Sequence, residues 1–419
     1  DRPEVATIHG YLADMLDTEG RHEESLAEGR AGYEILVRAF GPEHPDVAAM
    51  INRIGRTLER MGRYDEAIAE HQRALAIQLR AFGSDHPDLV VTHGQLGIAN
   101  ENRGDFEAAR REAETALAIA TKVFGPDHPM VASTHVNLAV DLNALGHPDL
   151  ALEHEARALW IWERALGPDH PDVGLVHNNM GGDLEQLARL DEALEHHQKA
   201  LAIFVRAFGP EHAEVGRSHG AIGFVQLARG HFDDALDEHR RALAIDVASY
   251  GAQHHEAGLD HDAIGFDLFA LGDFDGAEAE HRAALAIFVG EGDAQHPDAM
   301  WSRVGLAYVA AAHERWSEAS AELEAALAIG RAKLAGDHPS MAWVHAGLAI
   351  CALELGRRAD AESARERLRE VAAARRVRPE PAALLALVDA SLAGDRAAIV
   401  AARMRLRELG MWGFVKMAE

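Results

Sequence analysis

Apolar residues recur at three- and four-residue spacing along most of the chain, and one stretch shows the pattern clearly. From Pro45 to Leu58 the apolar positions share one side of a helix, and a second stripe runs from Tyr64 to Phe82. This spacing predicts two amphipathic helices. Between them, Gly62 can adopt the left-handed backbone conformation that ends helices. The sequence therefore predicts a helical hairpin.

The linker between hairpins is itself repeated. Residues 41–47 read Gly-Pro-Glu-His-Pro-Asp-Val, and related stretches follow at 83–89, 125–131, 167–173, 209–215, 251–257, 291–299 and 336–341. The linker histidines are spaced 42 residues apart, at His44, His86, His128, His170, His212, His254, His296 and His338. The chain begins on a shortened linker with Arg2 in the histidine position. A fixed period without insertions predicts a solenoid of stacked repeats.

The linker residues have the chemistry of a helix stop followed by a helix start. Gly41 and Pro42 end one helix, and Pro45 suits the first turn of the next, where its missing N–H costs nothing. Asp46 then complements the positive end of the helix dipole. His44 is expected near the N-cap in extended geometry, because it precedes a proline. We interpret the linker as structural, with little support for its histidines as ligands.

The repeat resembles the tetratricopeptide repeat. Its signature small and bulky positions are present in the third repeat, at Leu96, Gly97, Gly104, Phe106, Ala109, Ala116 and Leu117. The 42-residue period is similar to the kinesin-light-chain type, and such arrays also occur in bacterial signalling proteins. The resemblance implies an all-α, right-handed superhelix (an α-solenoid) of about nine helical hairpins over residues 1–374. Residues 375–419 leave the period, and helices at 381–393 and 395–409 are expected to cap the solenoid, with Trp412 and Phe414 packing back onto it.

Composition narrows the possible partners. The formal charge of −27 argues against nucleic acid and an anionic membrane surface. One cysteine excludes an internal disulfide framework and fits a cytoplasmic location. No apolar run reaches the roughly 18 residues of a membrane span. Because residue 1 falls inside a linker, we expect the chain to be a piece of a longer protein.

Histidine is abundant, with 26 residues, and most follow the period. One set lies seven residues after the linker histidine, at His9, His93, His135, His177, His219, His261 and His345; another lies 27 residues after it, at His71, His197, His239 and His281. The resemblance implies that both sets pack between helices. No tight metal-ligand spacing is present, so no metal or cofactor is expected. Protonation of stacked histidines should destabilise the solenoid at mildly acidic pH.

Catalytic signatures are weak. Residues 216–220 match the Gly-x-Ser-x-Gly pattern around Ser218, but they lie inside a predicted helix, whereas that motif needs a strand-to-helix turn. Cys351 also falls within a predicted helix. We expect no enzymatic activity and no catalytic residue.

The resemblance implies a concave groove lined 5, 8, 12, 15 and 16 residues after each linker histidine. The candidate peptide-binding residues are polar in the first half and apolar in the second: Asn52, Arg56, Glu101, Asn178, Glu185, Phe224, Phe266, Phe269, Trp301, Tyr308 and Trp343. This gradient suggests a peptide with an aromatic or leucine-rich end. Alternatively, some positions, notably the twelfth, pack between helices.

The resulting functional prediction is a non-enzymatic scaffold that binds a protein or peptide of basic and apolar character, within a larger signalling protein. Acidic surroundings favour a basic partner. Two alternatives stay open. The mildly basic stretch from Arg357 onward could dock on the acidic body of another copy, or the chain could be a regulatory receptor that senses a peptide.

Overall fold

The computed structural model describes residues 2–290, 296–333, 338, 340–374 and 379–408. These residues form 20 helices and no strand, which confirms the all-α prediction. Of the helices in these ranges, none is both long and apolar enough to cross a membrane. Contacts divide the chain into two compact units, Asp1–Val176 and His177–Glu419.

The first unit consists of consecutive helical hairpins. Its helices are α1 (Pro3–Thr18), α2 (His22–Phe40), α3 (Pro45–Arg60), α4 (Tyr64–Phe82), α5 (Pro87–Arg103), α6 (Phe106–Phe124), α7 (Pro129–Ala144) and α8 (Pro148–Ala165). Helices α3, α5 and α7 begin just after a linker histidine, and α1 begins just after Arg2, as the sequence predicts. Helix α9 (Pro171–Gln186) contains the boundary between the units.

The second unit continues the same pattern. Its helices are α10 (Leu190–Phe208), α11 (Ala213–Arg229), α12 (Phe232–Tyr250), α13 (His255–Leu271), α14 (Phe274–Gly290), α15 (Ala299–Ala312), α16 (Trp316–Lys333), α17 (Ser340–Glu354), α18 (Arg358–Ala374), α19 (Pro379–Ala393) and α20 (Arg396–Glu408). Helix α19 packs on α17 and α18, and Leu384, Leu387 and Val388 join their core. The cap beginning at residue 375 stays a prediction, and Trp412 and Phe414 lie outside the described residues.

The linker histidine caps the helix that follows it. In the first complete linker His44 is extended (φ −78°, ψ 141°), and its Nδ1 accepts the backbone N–H of Asp46 at 3.2 Å. Gly41 has φ of 86°, which ends α2. The His44 ring stacks on Phe40 with centroids 4.5 Å apart. The same backbone bond to Nδ1 occurs at His86, His128, His170, His212, His254, His296 and His338.

A second recurring contact lies inside the hairpins, where a buried imidazole packs on a glycine of the facing helix. A Cβ added to Gly55 would lie 2.4 Å from the His71 ring. Such glycine–histidine pairs are Gly55 with His71, Gly181 with His197, Gly223 with His239, and Gly265 with His281. In the third repeat, Ala113 takes the histidine position, and the nearest atom to a Cβ on Gly97 is 3.8 Å away. The two helices therefore approach closely only because the glycine makes room for the ring.

This packing predicts opposite outcomes for two glycine-to-alanine changes in the first unit. Gly55→Ala should destabilise the fold by about 1–3 kcal/mol, because the methyl group overlaps the His71 ring. Gly97→Ala should stabilise it by about 0.5–1 kcal/mol through higher helix propensity. Thermal unfolding followed by circular dichroism measures both. Equal effects of the two changes would contradict the proposed role of the imidazole.

Candidate functional site

In the second unit, α11, α13, α15 and α17 form a pocket of about 450 Å³. We call it the apolar pocket, and its lining residues are Phe224, Leu227, Leu259, Asp262, Ala263, Phe266, Asp298, Trp301, Tyr308 and Trp343. They come from corresponding positions of successive repeats, so the 42-residue period brings them to one face. Two aspartates and the tyrosine provide the polar side chains of this lining.

The aromatic side chains of the apolar pocket are held by neighbouring rings. Trp301 and Trp343 meet edge to face with centroids 6.0 Å apart. Phe266 meets the buried His281 edge to face at 4.7 Å, and Phe224 meets His239 in the same way at 4.8 Å. Phe224 is still 48% exposed. The rings are thus oriented by the hairpin interior while part of their surface faces solvent.

An acidic pocket of about 270 Å³ adjoins the apolar one and shares Phe224 and Leu259 with it. Its charged residues are Asp246, Asp260, Glu256 and one cation, Arg217, which pairs with Glu214 at 3.2 Å. Burial, followed by the charge of Asp246, raises the pKa of Asp260 to about 8. Burial, followed by the charge of Glu256, also raises the pKa of Asp246. A cation placed here would relieve the repulsion between these carboxylates.

Five predicted groove residues meet in the apolar pocket: Phe224, Phe266, Trp301, Tyr308 and Trp343. Tyr308 contributes to the wall although it is almost fully buried. Phe269 is different, since it is 1% exposed and packs against Phe274 and Tyr308 in the core. Its predicted place on the groove surface is corrected accordingly, because the next repeat covers this side chain.

The predicted groove asparagines contact neighbouring hairpins, and Asn52 is buried whereas Asn178 is partly exposed. Asn52 is buried, donates to Thr92 Oγ1 of the next hairpin at 2.7 Å, and lies 2.9 Å from His71 Nδ1. Asn178 repeats this arrangement, with its Nδ2 3.3 Å from Ser218 Oγ and its Oδ1 3.0 Å from His197 Nδ1. These amides join consecutive hairpins, and their role in peptide binding stays a prediction.

The charged candidates of the polar half are also occupied by intramolecular contacts. Glu185 Oε1 lies 3.0 Å from His197 Nε2. Arg56 is exposed and pairs with Asp14 at 3.0 Å. Of the polar candidates, Arg56 therefore presents the most accessible side chain.

Glu101 faces Asp141 across a cavity of about 10 Å³ between α5 and α7. Asp141 is 1% exposed. Burial, followed by the charge of Glu101, raises the pKa of Asp141 to about 8, and burial also raises the pKa of Glu101. The two carboxyl groups therefore favour a state in which one of them is protonated.

Six of the seven histidines that lie seven residues after the linker position pair with a residue on the second helix of the same hairpin. Four of them contact a glutamate at 2.5–2.6 Å: His9 with Glu28, His93 with Glu112, His219 with Glu238, and His261 with Glu280. Two pair with another histidine, His135 with His154 at 2.8 Å and His177 with His196 at 3.0 Å. Burial, followed by the neighbouring histidine, lowers the pKa of His135 and of His177 to about 4.

Five pocket residues are absent from the sequence candidates: Leu227, Leu259, Asp262, Ala263 and Asp298. Leu259 and Asp262 lie five and eight residues after His254, so the groove positions themselves contained the signal. Asp298 belongs to a linker, and no sequence feature distinguished it from the capping carboxylates of other linkers. Its place in the pocket depends on how adjacent repeats pack.

Ser218 and Cys351, the two residues considered for catalysis, both lie within helices. Ser218 is buried in α11, and its hydroxyl donates to the Glu214 carbonyl oxygen at 2.9 Å. The strand-to-helix turn required for a nucleophile elbow is therefore absent around Ser218. Burial raises the pKa of Cys351 to about 12, which disfavours the thiolate.

Comparisons with known proteins place these features in context. A family model for the tetratricopeptide repeat matches residues 4–68, 46–120, 99–160, 172–246 and 256–332, in agreement with the predicted resemblance. No curated protein sequence matches the chain significantly.

Several solved structures resemble the chain. BtubC (BKLC) from P. vanneervenii is 25% identical with a TM-score of 0.49, over 55% of this chain and 92% of its own. A Rap protein complexed with competence and sporulation factor is 13% identical with a TM-score of 0.60, over 89% of this chain and 100% of its own. The apo form of RapI is 12% identical with a TM-score of 0.62, over 87% of this chain and 98% of its own. The Rap structures share the fold alone.

Because of the Glu101–Asp141 pair, we expect Asp141→Asn to increase the stability of the fold by an amount that depends on pH. The folded pKa of Asp141 lies above its ordinary value of 3.8, so the unfolded chain ionises first as pH rises. Stability is therefore lost between about pH 4 and pH 8. Asp141→Asn should raise the unfolding temperature most near pH 8 and hardly at all near pH 4. The exposed Asp237→Asn is the control, and a gain independent of pH would refute this account.

The histidine–histidine pairs, such as His135 with His154, predict that stability changes with pH in the opposite direction. Because the folded pKa of His135 lies below the ordinary 6.5, stability is present above pH 6.5 and is lost as pH falls toward 4. His154→Glu creates the histidine–glutamate pair of four other hairpins and should reduce this loss. The reciprocal Glu112→His should increase it. Thermal unfolding at several pH values measures both, and profiles that match the original chain would rule the explanation out.

Proposed function

Since this chain belongs to the tetratricopeptide repeat family, we propose that it is a non-catalytic scaffold that binds a peptide segment of a partner protein in its apolar pocket. The observation that carries the proposal is the convergence of Phe224, Phe266, Trp301 and Trp343 on one accessible cavity. Pockets of a few hundred Å³ with apolar walls and few polar groups are typical of ligand sites.

The pocket wall favours an aromatic or leucine side chain as the anchor of the bound segment. Partly exposed rings in a concave site lose their contact with water when such a side chain enters, and aromatic residues dominate the energy of many interfaces. Because the rings already contact His239, His281 and one another, little ordering is required on binding.

The adjoining acidic pocket favours a basic residue next to that anchor. Asp246 and Asp260 repel each other when ionised, and a lysine or arginine between them would stabilise both charges. Phe224 and Leu259 belong to both pockets, so an apolar and a basic side chain close together in one segment could occupy them at once. The formal charge of −27 would also steer a basic partner toward the chain.

A library of short displayed peptides panned against the chain tests the proposal. We expect the selected peptides to combine an aromatic or leucine residue with a nearby lysine or arginine. Their affinity, measured with synthetic peptides by fluorescence polarisation, should fall for Phe224→Ala and Trp301→Ala. The loss expected for an aromatic anchor is about 2 kcal/mol, or roughly 30-fold.

Trp160→Ala is the matched control, because Trp160 is a 40% exposed tryptophan of the first unit. It should leave peptide affinity unchanged. Circular dichroism establishes that each variant is folded, and Phe224, which is half exposed, can be changed at little structural cost. Folded Phe224→Ala and Trp301→Ala chains that bind as tightly as the original would refute the proposal.

A further inference from the structure

One linker departs from all others at the residue after its histidine. This residue is proline at 3, 45, 87, 129, 171, 297 and 339, and alanine at 213, but it is His255 in the sixth linker. His255 is also the first residue of α13, where proline is otherwise favoured. Helix initiation alone does not explain an imidazole at this position.

The side chain of His255 reaches the next linker. Its Nε2 lies 3.2 Å from Asp298 Oδ2, and His296 Nδ1 lies 3.7 Å from the same oxygen. The His255 and His296 rings have centroids 5.0 Å apart. One potential ligand atom from each of these three residues lies within 4.8 Å of the other two. All three side chains are partly exposed, so an ion could enter from solvent.

We propose that His255, His296 and Asp298 form a binding site for a divalent transition-metal ion of the zinc type. Two imidazoles and one carboxylate are suitable ligands for zinc, and a water molecule can complete a tetrahedral shell. Ligands at about 2.0–2.2 Å from zinc lie roughly 3.3 Å from one another. The three ligand atoms lie within 4.8 Å of one another, so they must move closer together to share one ion.

The surroundings restrict the histidine rings in a way that suits this role. The backbone N–H of Asp298 donates to His296 Nδ1 at 3.3 Å, and a metal ion bound at this nitrogen would replace that hydrogen bond. Phe288 stacks on His296 at 5.6 Å with an interplanar angle of 8°, and its centroid lies 5.3 Å from that of His255. An apolar ring therefore covers one side of the cluster, which limits the positions that the imidazoles can adopt.

The site joins two consecutive repeats at the edge of the apolar pocket. His255 belongs to α13, whereas Asp298 immediately precedes α15 and also lines that pocket. A bound ion would therefore tie the two helix starts together and neutralise the pocket carboxylate. This inference concerns metal binding and does not depend on the proposed peptide function.

Isothermal titration of the metal-free chain with Zn²⁺ tests the site, and Mg²⁺ provides the comparison. Other histidines can bind zinc weakly, so the decisive measurement is the tightest binding step. His255→Pro restores the histidine–proline sequence of the other linkers and should weaken this step by at least about ten-fold. Asp298→Asn keeps a similar shape without the charge and should have a similar effect. Mg²⁺, which prefers oxygen ligands, should not produce this step.

The exposed His231→Gln is the control for loss of a histidine elsewhere, and it should leave the tightest step unchanged. Zn²⁺ should also raise the unfolding temperature of the original chain more than that of either site variant. If folded His255→Pro and Asp298→Asn chains bind Zn²⁺ as the original does, the proposal is wrong and the binding belongs to adventitious histidines only.

Discussion

Much of this structure depends on a buried imidazole that lies on a glycine inside the hairpin and contacts a polar side chain which is itself hydrogen-bonded to the next repeat. His71 rests on Gly55 and faces Asn52, and Asn52 in turn donates to Thr92 of the following hairpin. His197 has the same relation to Asn178 and Ser218, and His281 to Asp262 and Ser302. Because these polar groups are buried, each must keep its partner, which fixes the distance and register between neighbouring helices.

The same network decides which groove positions remain available to a ligand. In the more polar repeats, Glu59 and Glu185 satisfy the second nitrogen of the histidine, so their carboxylates are already engaged. In later repeats the corresponding positions hold Leu227 and Phe269, and the side chains toward the groove become apolar. The apolar pocket thus lies beside repeats in which the second ring nitrogens of His239 and His281 are buried without a hydrogen-bond partner among the described residues. The same replacement of glutamate by leucine or phenylalanine therefore changes both the buried network and the groove beside it.

Pairs of neighbouring carboxyl groups also affect the stability of this packing. The chain is strongly acidic, yet it places carboxyl pairs in buried positions, Glu101 with Asp141 and Asp246 with Asp260. Both pairs raise the pKa of one aspartate to about 8, which costs stability near neutral pH. In the second pair, the cost would be relieved by a cationic ligand, since Asp246 and Asp260 line a pocket. Destabilising charge at this place is consistent with a binding role.

The sequence by itself determined the helical hairpins and their period, because helix stops, proline starts and apolar spacing are local signals that repeat every 42 residues. The same register predicted Phe224, Phe266 and Trp301 on one face. Tertiary structure decided how each register position is used. Phe269 is covered by the next repeat. Asn52 and Asn178 are hydrogen-bonded to the next hairpin, and His255 contacts Asp298 of the next linker. These outcomes depend on the side chains that neighbouring repeats contribute, and a single repeat's sequence does not contain them.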